Sequence, residues 1–140
     1  MGYVVGIVLA LVVSLAARWV GFDRDRAFYP TVLVVIASYY VLFAVMSSSP
    51  RAILADSIVM TAFALAAVLG FKTSLWLVVA ALAAHGVLDL SHDRLVTNRG
   101  VPVWWPPFCM AYDVVAAAFL AWLLTRSGPQ RVPASSLTSR

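Results

Sequence analysis

A short segment of an otherwise apolar chain gathers the side chains best suited to chemistry. The sequence HGVLDLSHD, residues 85–93, contains both of the 2 histidines and two of the 6 acidic residues. His85, Asp89 and His92 follow an i, i+4, i+7 spacing, which places them within about 60° of one another on a helix. Asp93 diverges from this stripe by about 100°. Imidazoles and carboxylates on one helical stripe are ligands that Zn²⁺, Mn²⁺ and Fe²⁺ accept, so the segment predicts a divalent metal site.

Two more aspartates lie in neighbouring apolar segments and are expected to complete the site. The predicted metal ligands are His85, Asp89, His92 and Asp113. The predicted catalytic residues are Asp56 and Asp113. In an enzyme of this kind the metal would activate water or oxygen, and an unligated aspartate would act as the base. The HxxxDxxH spacing is suggestive, but it is not a signature of the strength of HExxH.

Two interpretations without a metal stay open for the same residues. His85 could donate a hydrogen bond to Asp113 or Asp56 within a structural network, or the group could bind protons or a small ligand. Buried ion pairs stabilise little, because desolvation roughly offsets their attraction, so stability alone hardly accounts for a network of this size and the functional interpretations stay open. Bis-histidine haem is disfavoured since both histidines share one helix. A triad built on Ser57 lacks a nucleophile elbow and an oxyanion-hole motif.

The composition assigns these residues to a membrane protein. The chain has 140 residues, of which 63% are hydrophobic and 11% are charged, against about 25% charged residues in a soluble domain. A helix needs about 20 apolar residues to cross a bilayer, so we predict an all-α bundle of about five transmembrane helices. An ionisable side chain inside such a helix costs several kcal/mol, which marks each one as a functional candidate.

Apolar runs set the expected boundaries of these helices. They cover residues 3–20, 28–46, 53–71, 74–90 and 108–125. Ser49 is predicted to cap the third helix, with Pro50 at its first position. The expected organisation is a transmembrane domain over residues 1–125 and a flexible cytoplasmic tail over residues 126–140, since Ser, Pro and Gly are typical of loose ends.

The distribution of positive charge predicts the orientation. Of the 10 Arg and Lys residues, Arg51, Arg94 and Arg99 fall on one side and the others on the opposite side. The positive-inside rule then predicts an external amino terminus and a cytoplasmic carboxy terminus in a bacterial plasma membrane, with the polar cluster facing outward. Arginines scattered at helix ends do not form a nucleic-acid patch, so the expected partner is the lipid bilayer.

Two further residue types lie near the predicted cluster. The lone Cys109 excludes an internal disulfide and is interpreted as a small packing residue. Tyr39 and Tyr40 fall toward the same leaflet as the aspartates. A tyrosine hydroxyl there could donate to an aspartate, or both rings could belong to the interfacial aromatic belt.

The stretches FYPTVLVVIASYYVLFAVM, HGVLDLSHDRL and WWPPFCMAYDV together resemble the small uncharacterised multi-pass membrane proteins of bacteria. The resemblance covers most of residues 28–118 and implies no activity. Three functions are compatible with these residues, and the sequence does not decide whether the protein is an enzyme. The first is a metal-dependent membrane enzyme acting on a lipid-like or small apolar substrate. The others are a non-enzymatic subunit of a larger membrane complex, and a proton-coupled carrier or channel working as a homo-oligomer. Metal content separates the first from the other two.

Overall fold

Five long helices form the fold, as the apolar runs predict. The structure is a computed structural model that describes residues 1–126, and all regular elements in that range are helical. The helices are α1 Gly2–Val20, α2 Phe28–Met46, α3 Pro50–Lys72, α4 Leu75–Leu95 and α5 Trp105–Arg126. Each of the 5 is long and apolar enough to cross a membrane. Of the predicted tail, only Arg126 is described, as the last residue of α5, and residues 127–140 lie outside the described residues.

The helices pack in the spatial order α1, α5, α4, α3, α2, and α2 also reaches α4. An apolar core that includes Leu33, Leu82 and Leu120 fills the part of the bundle near the start of α2. Further along α2, this core gives way to aromatic and polar side chains. In their most apolar windows, 22% of the residues of α1 and 17% of those of α3 are buried. These two helices therefore present most of their apolar surface to the lipid bilayer.

The connections at one end of the bundle place polar side chains next to one another. Ser49 caps α3 as predicted, because its side chain accepts a hydrogen bond from the Ala52 amide at 3.3 Å and Pro50 follows at the first helical position. This α2–α3 turn lies beside the α4–α5 connection, where Ser47 Oγ is 3.5 Å from Asn98 Oδ1. At the opposite end, Arg26 donates to the Thr73 carbonyl at 3.2 Å. The loops alternate between two ends, as five crossings require.

The apolar runs predict that His85 lies about 8 Å from the end of α4, at a depth similar to that of Asp113 on α5. Helix α4 is longer than its apolar run, which corrects this distance. The run ends at residue 90, but α4 continues to Leu95, and the Val96 amide donates to the His92 carbonyl at 2.8 Å. The polar residues after position 90 lower the hydropathy without breaking the helix. His85 therefore lies ten residues before the helix end, or about 15 Å at 1.5 Å per residue, near the middle of α4.

Small residues let α1 lie against α5. The buried positions of α1 are Gly6, Ala10, Ser14 and Ala17. A Cβ atom added at Gly6 would overlap the backbone carbonyl oxygen of Phe108 on α5. Close approach of helix backbones at small residues is the usual way in which membrane helices associate.

We expect Gly6→Ala to lower the free energy of unfolding by about 1–3 kcal/mol, the usual cost of overpacking, because a backbone carbonyl cannot move aside as a side chain can. Denaturant unfolding of the detergent-solubilised protein measures this change. Val8→Ala on the 54% exposed face of the same helix is the matched control and should change stability little. Equal stability of the two variants would contradict the close α1–α5 contact.

Candidate functional site

Helices α4 and α5 bring four potential metal ligands into one buried group. This group, called the quartet below, consists of His85, Asp89, Cys109 and Asp113. One ligand atom from each residue lies within 4.8 Å of the others. All four residues are at most 2% exposed. Such a density of titratable side chains in the core of an apolar bundle is typical of a functional site.

His85 is the centre of the quartet. Its Nδ1 atom lies 2.7 Å from Asp113 Oδ2 and 3.7 Å from Asp89 Oδ2. Cys109 Sγ lies 4.0 Å from the same Asp113 oxygen. The expectation that His85, Asp89 and Asp113 face one another inside the bundle is confirmed by these contacts. The ring of Phe63 on α3 packs edge-on against His85 at 4.8 Å and closes the group on that side.

The quartet has more donor and acceptor atoms than its own hydrogen bonds use. His85 Nε2, Asp89 Oδ2 and Asp113 Oδ1 are buried and have no hydrogen-bond partner among the described residues. Buried polar groups almost always have partners, so several unpartnered atoms in one place indicate a site for a cation or a small polar ligand.

The distances fit a divalent metal with little rearrangement. At metal–ligand bonds of 2.0–2.2 Å, neighbouring ligands of a tetrahedral ion lie roughly 3.4 Å apart. The separations centred on His85 and Asp113 run from 2.7 to 4.0 Å. Since all four ligand atoms lie within 4.8 Å of one another, shifts of up to about 1.4 Å, with release of the His85–Asp113 hydrogen bond, would bring them to the spacing of a tetrahedral site.

Asp56 and His92 form a second buried pair between α3 and α4. His92 Nε2 lies 2.9 Å from Asp56 Oδ1, and Asn98 Nδ2 donates to Asp56 Oδ2 at 2.8 Å. Asn98 also donates to the backbone carbonyl of Tyr40 at 3.1 Å, so the α4–α5 connection is fixed to α2. Both oxygens of Asp56 are occupied, whereas His92 Nδ1 is buried without a partner among the described residues.

Tyr40 connects the two groups. Its hydroxyl donates to Asp89 Oδ1 at 2.6 Å, and its ring stacks on His92 at 4.0 Å between centroids. The neighbouring Tyr39 is 36% exposed and packs on Trp105. Each of the two alternatives therefore applies to one tyrosine. Tyr40 donates a hydrogen bond to an aspartate, and Tyr39 lies at the lipid-facing surface.

The predicted site residues separate into two sets. His85, Asp89 and Asp113 meet in the quartet, while His92 and Asp56 pair beside it, and Asp93 is exposed. The metal-binding and catalytic roles assigned to these residues stay predictions.

Sequence reasoning missed two members of the site. Cys109, interpreted as packing, belongs to the quartet, and its i, i+4 spacing from Asp113 on α5 is the signal that could have placed it there. Asn98 holds Asp56 from a connection between helices. Because Asn98 lies outside the helices, helical spacing could not indicate its role.

Comparison with known proteins identifies no family for this chain. No protein-family model matches it, and no curated protein or solved structure matches it significantly. The resemblance to small bacterial membrane proteins therefore stays an expectation, and the function has to be inferred from the site.

Proposed function

We propose that this multi-pass membrane protein binds one divalent metal ion between α4 and α5, and that the ion serves a reaction on a lipid-like or small apolar substrate. The observation that carries the proposal is the buried quartet, whose ligand atoms lie within 4.8 Å of one another. The chemistry of the donors fits Zn²⁺, Mn²⁺ or Fe²⁺, because one imidazole nitrogen is combined with carboxylate oxygens.

Charge balance favours His85, Asp89 and Asp113 as the protein ligands. A divalent cation, two carboxylates and a neutral imidazole sum to zero charge, which is the least costly state in an apolar environment. A Cys109 thiolate would add an uncompensated negative charge, so Cys109 is assigned as a neutral thiol beside the ion. Three protein ligands leave one position open, as in catalytic rather than structural metal sites.

An apolar groove on the side of the bundle lies against one member of the quartet, Cys109. The groove lies between α1, α2 and α5, has a volume of about 250 Å³, and is lined by residues such as Leu9, Val13 and Tyr39. Cys109 belongs both to the groove wall and to the quartet. A hydrocarbon chain lying in this groove would end next to the metal ligands, which supports an apolar substrate.

The Asp56–His92 pair is suited to handle a proton. A metal in the quartet would supply Lewis-acid activation of a bound water. His92 presents a buried Nδ1 without a partner, and Asp56 bonds the other ring nitrogen at 2.9 Å. A base whose second nitrogen is held by a carboxylate is the usual arrangement for proton transfer. His92 is then the proton acceptor, and Asp56 is a positioning residue.

Metal titration followed by thermal unfolding tests this function. A metal at about 100 times its Kd should stabilise the wild type by roughly 2.7 kcal/mol. Asp113→Asn, which keeps the shape but removes a charged ligand, should lose this gain. Cys109→Ala should keep it, and cobalt-loaded wild type should show no sulfur-to-cobalt charge-transfer absorption.

Two results would change the proposal. Loss of metal stabilisation in Cys109→Ala would assign a thiolate ligand and contradict the neutral three-ligand site. No stabilisation of the wild type by any of the three metals would leave the polar groups as a packing element, as expected for a non-enzymatic subunit of a membrane complex or an oligomeric carrier.

A further inference from the structure

A polar cavity lies at the end of the bundle nearest the Asp56–His92 pair. It occupies about 800 Å³ between the α2–α3 turn and the α4–α5 connection. The polar side chains on its wall are Ser47, Ser48, Ser49, Arg51, Thr97 and Arg99. No acidic residue within the described part of the chain lines it. The polar part of the wall therefore carries hydroxyl groups and two positive charges, beside apolar residues such as Leu95 and Val96.

Within the described part of the chain, the two arginines of this cavity have no ion-pair partner. Neither Arg51 nor Arg99 lies within 4.0 Å of a carboxylate among residues 1–126. At the opposite end of the bundle, Arg18 pairs with Asp23 at 3.2 Å and Arg26 bonds backbone carbonyls, while Arg24 has neither kind of partner among residues 1–126. Two unpaired guanidinium groups at one cavity indicate a site for an anion.

The surrounding groups match the oxygen atoms of a phosphoryl group. Arginine forks and hydroxyls donate to phosphate oxygens, and arginine can do so with two parallel hydrogen bonds. The amino end of α3, a helix of 23 residues, begins in the cavity wall at Pro50 and adds the positive end of its dipole. Since the cavity lies at the ends of helices long and apolar enough to cross a membrane, we expect it at the depth of the lipid headgroups.

We propose that this cavity binds a phosphoryl group through Arg51 and Arg99. The group is carried either by a phospholipid headgroup or by a soluble phosphate. Asp56 and Asn98 do not line the cavity, but their chain neighbours Ala55, Thr97 and Arg99 do. The inference does not depend on a metal in the quartet.

Binding to the detergent-purified full chain tests the proposal, with three probes compared. They are dioleoyl phosphatidylglycerol, dioleoylglycerol with the same chains but no phosphate, and inorganic phosphate. Phosphatidylglycerol or inorganic phosphate should bind the wild type, and affinity should fall about tenfold for each arginine replaced in Arg51→Gln and Arg99→Gln. Arg94→Gln is the matched control, because Arg94 is exposed near the same end of α4 but does not line the cavity.

Each outcome is decisive. Preference for phosphatidylglycerol over inorganic phosphate identifies the lipid as the source, and comparable binding of inorganic phosphate identifies a soluble one. Equal binding of dioleoylglycerol, or equal losses in Arg94→Gln and the two cavity variants, would overturn the proposal. Arg51→Lys and Arg99→Lys keep the positive charge but lose the forked guanidinium group. If a glutamine variant fails to fold, the lysine variant replaces it in the test and should show a smaller loss of phosphate affinity.

Discussion

Replacing His85 with alanine is expected to abolish metal binding. His85 supplies the nitrogen ligand of the proposed site and lies 2.7 Å from Asp113 and 3.7 Å from Asp89. Loss of a residue that only supports a metal ligand weakens affinity by about 10–100-fold, so loss of a ligand should cost more than about 100-fold. Metal titration of the purified variant measures the change.

Asp89→Asn separates loss of a ligand from loss of the fold. Asparagine keeps the shape of the side chain and can still interact with the Tyr40 hydroxyl, which donates to Asp89 at 2.6 Å. We expect this variant to stay folded and to bind the metal more weakly than wild type. A His85→Ala protein that is folded and retains the metal at wild-type affinity would exclude His85 as a ligand.

The second large effect is expected for His92→Ala, in stability rather than in metal affinity. The substitution leaves the Asp56 carboxylate buried with Asn98 as its side-chain partner, and it removes the ring stacked on Tyr40. Leaving a buried polar group without its partner costs about 1–3 kcal/mol, and more when the group is a carboxylate. Chemical unfolding in detergent should show this loss, while the metal stoichiometry stays unchanged.

Asp93→Asn is the control for His92→Ala, because Asp93 is the exposed neighbour of His92 on the same helix. It should change stability by less than about 0.5 kcal/mol. A His92→Ala protein that folds but has lost its metal would contradict the three-ligand assignment. That result would instead support the four metal ligands predicted from the sequence, which include His92.

The sequence was sufficient for the fold because bilayer thickness links the length of an apolar run to a crossing. The same logic failed at the end of α4, where Ser91, His92 and Asp93 are polar but helical. Hydropathy reports the environment that a residue prefers, whereas helix formation depends on backbone hydrogen bonds. The underestimated length placed His85 too close to the end of α4.

The site was predictable where helical periodicity controls it. The spacing of His85 and Asp89 placed both on one face, and matching depths on α4 and α5 brought Asp113 to them. The stripe could not show that His92, two turns further along, faces Asp56 on α3 instead of the quartet. Which neighbouring helix a residue meets depends on the packing of the whole bundle.

Elemental analysis of wild-type protein, purified gently in detergent, is the most direct test of the metal site. We expect about one Zn, Mn or Fe ion per chain, and a loss of that ion in His85→Ala and Asp113→Asn. Wild-type protein that carries no metal, and gains no thermal stability when any of the three ions is added, would contradict the site.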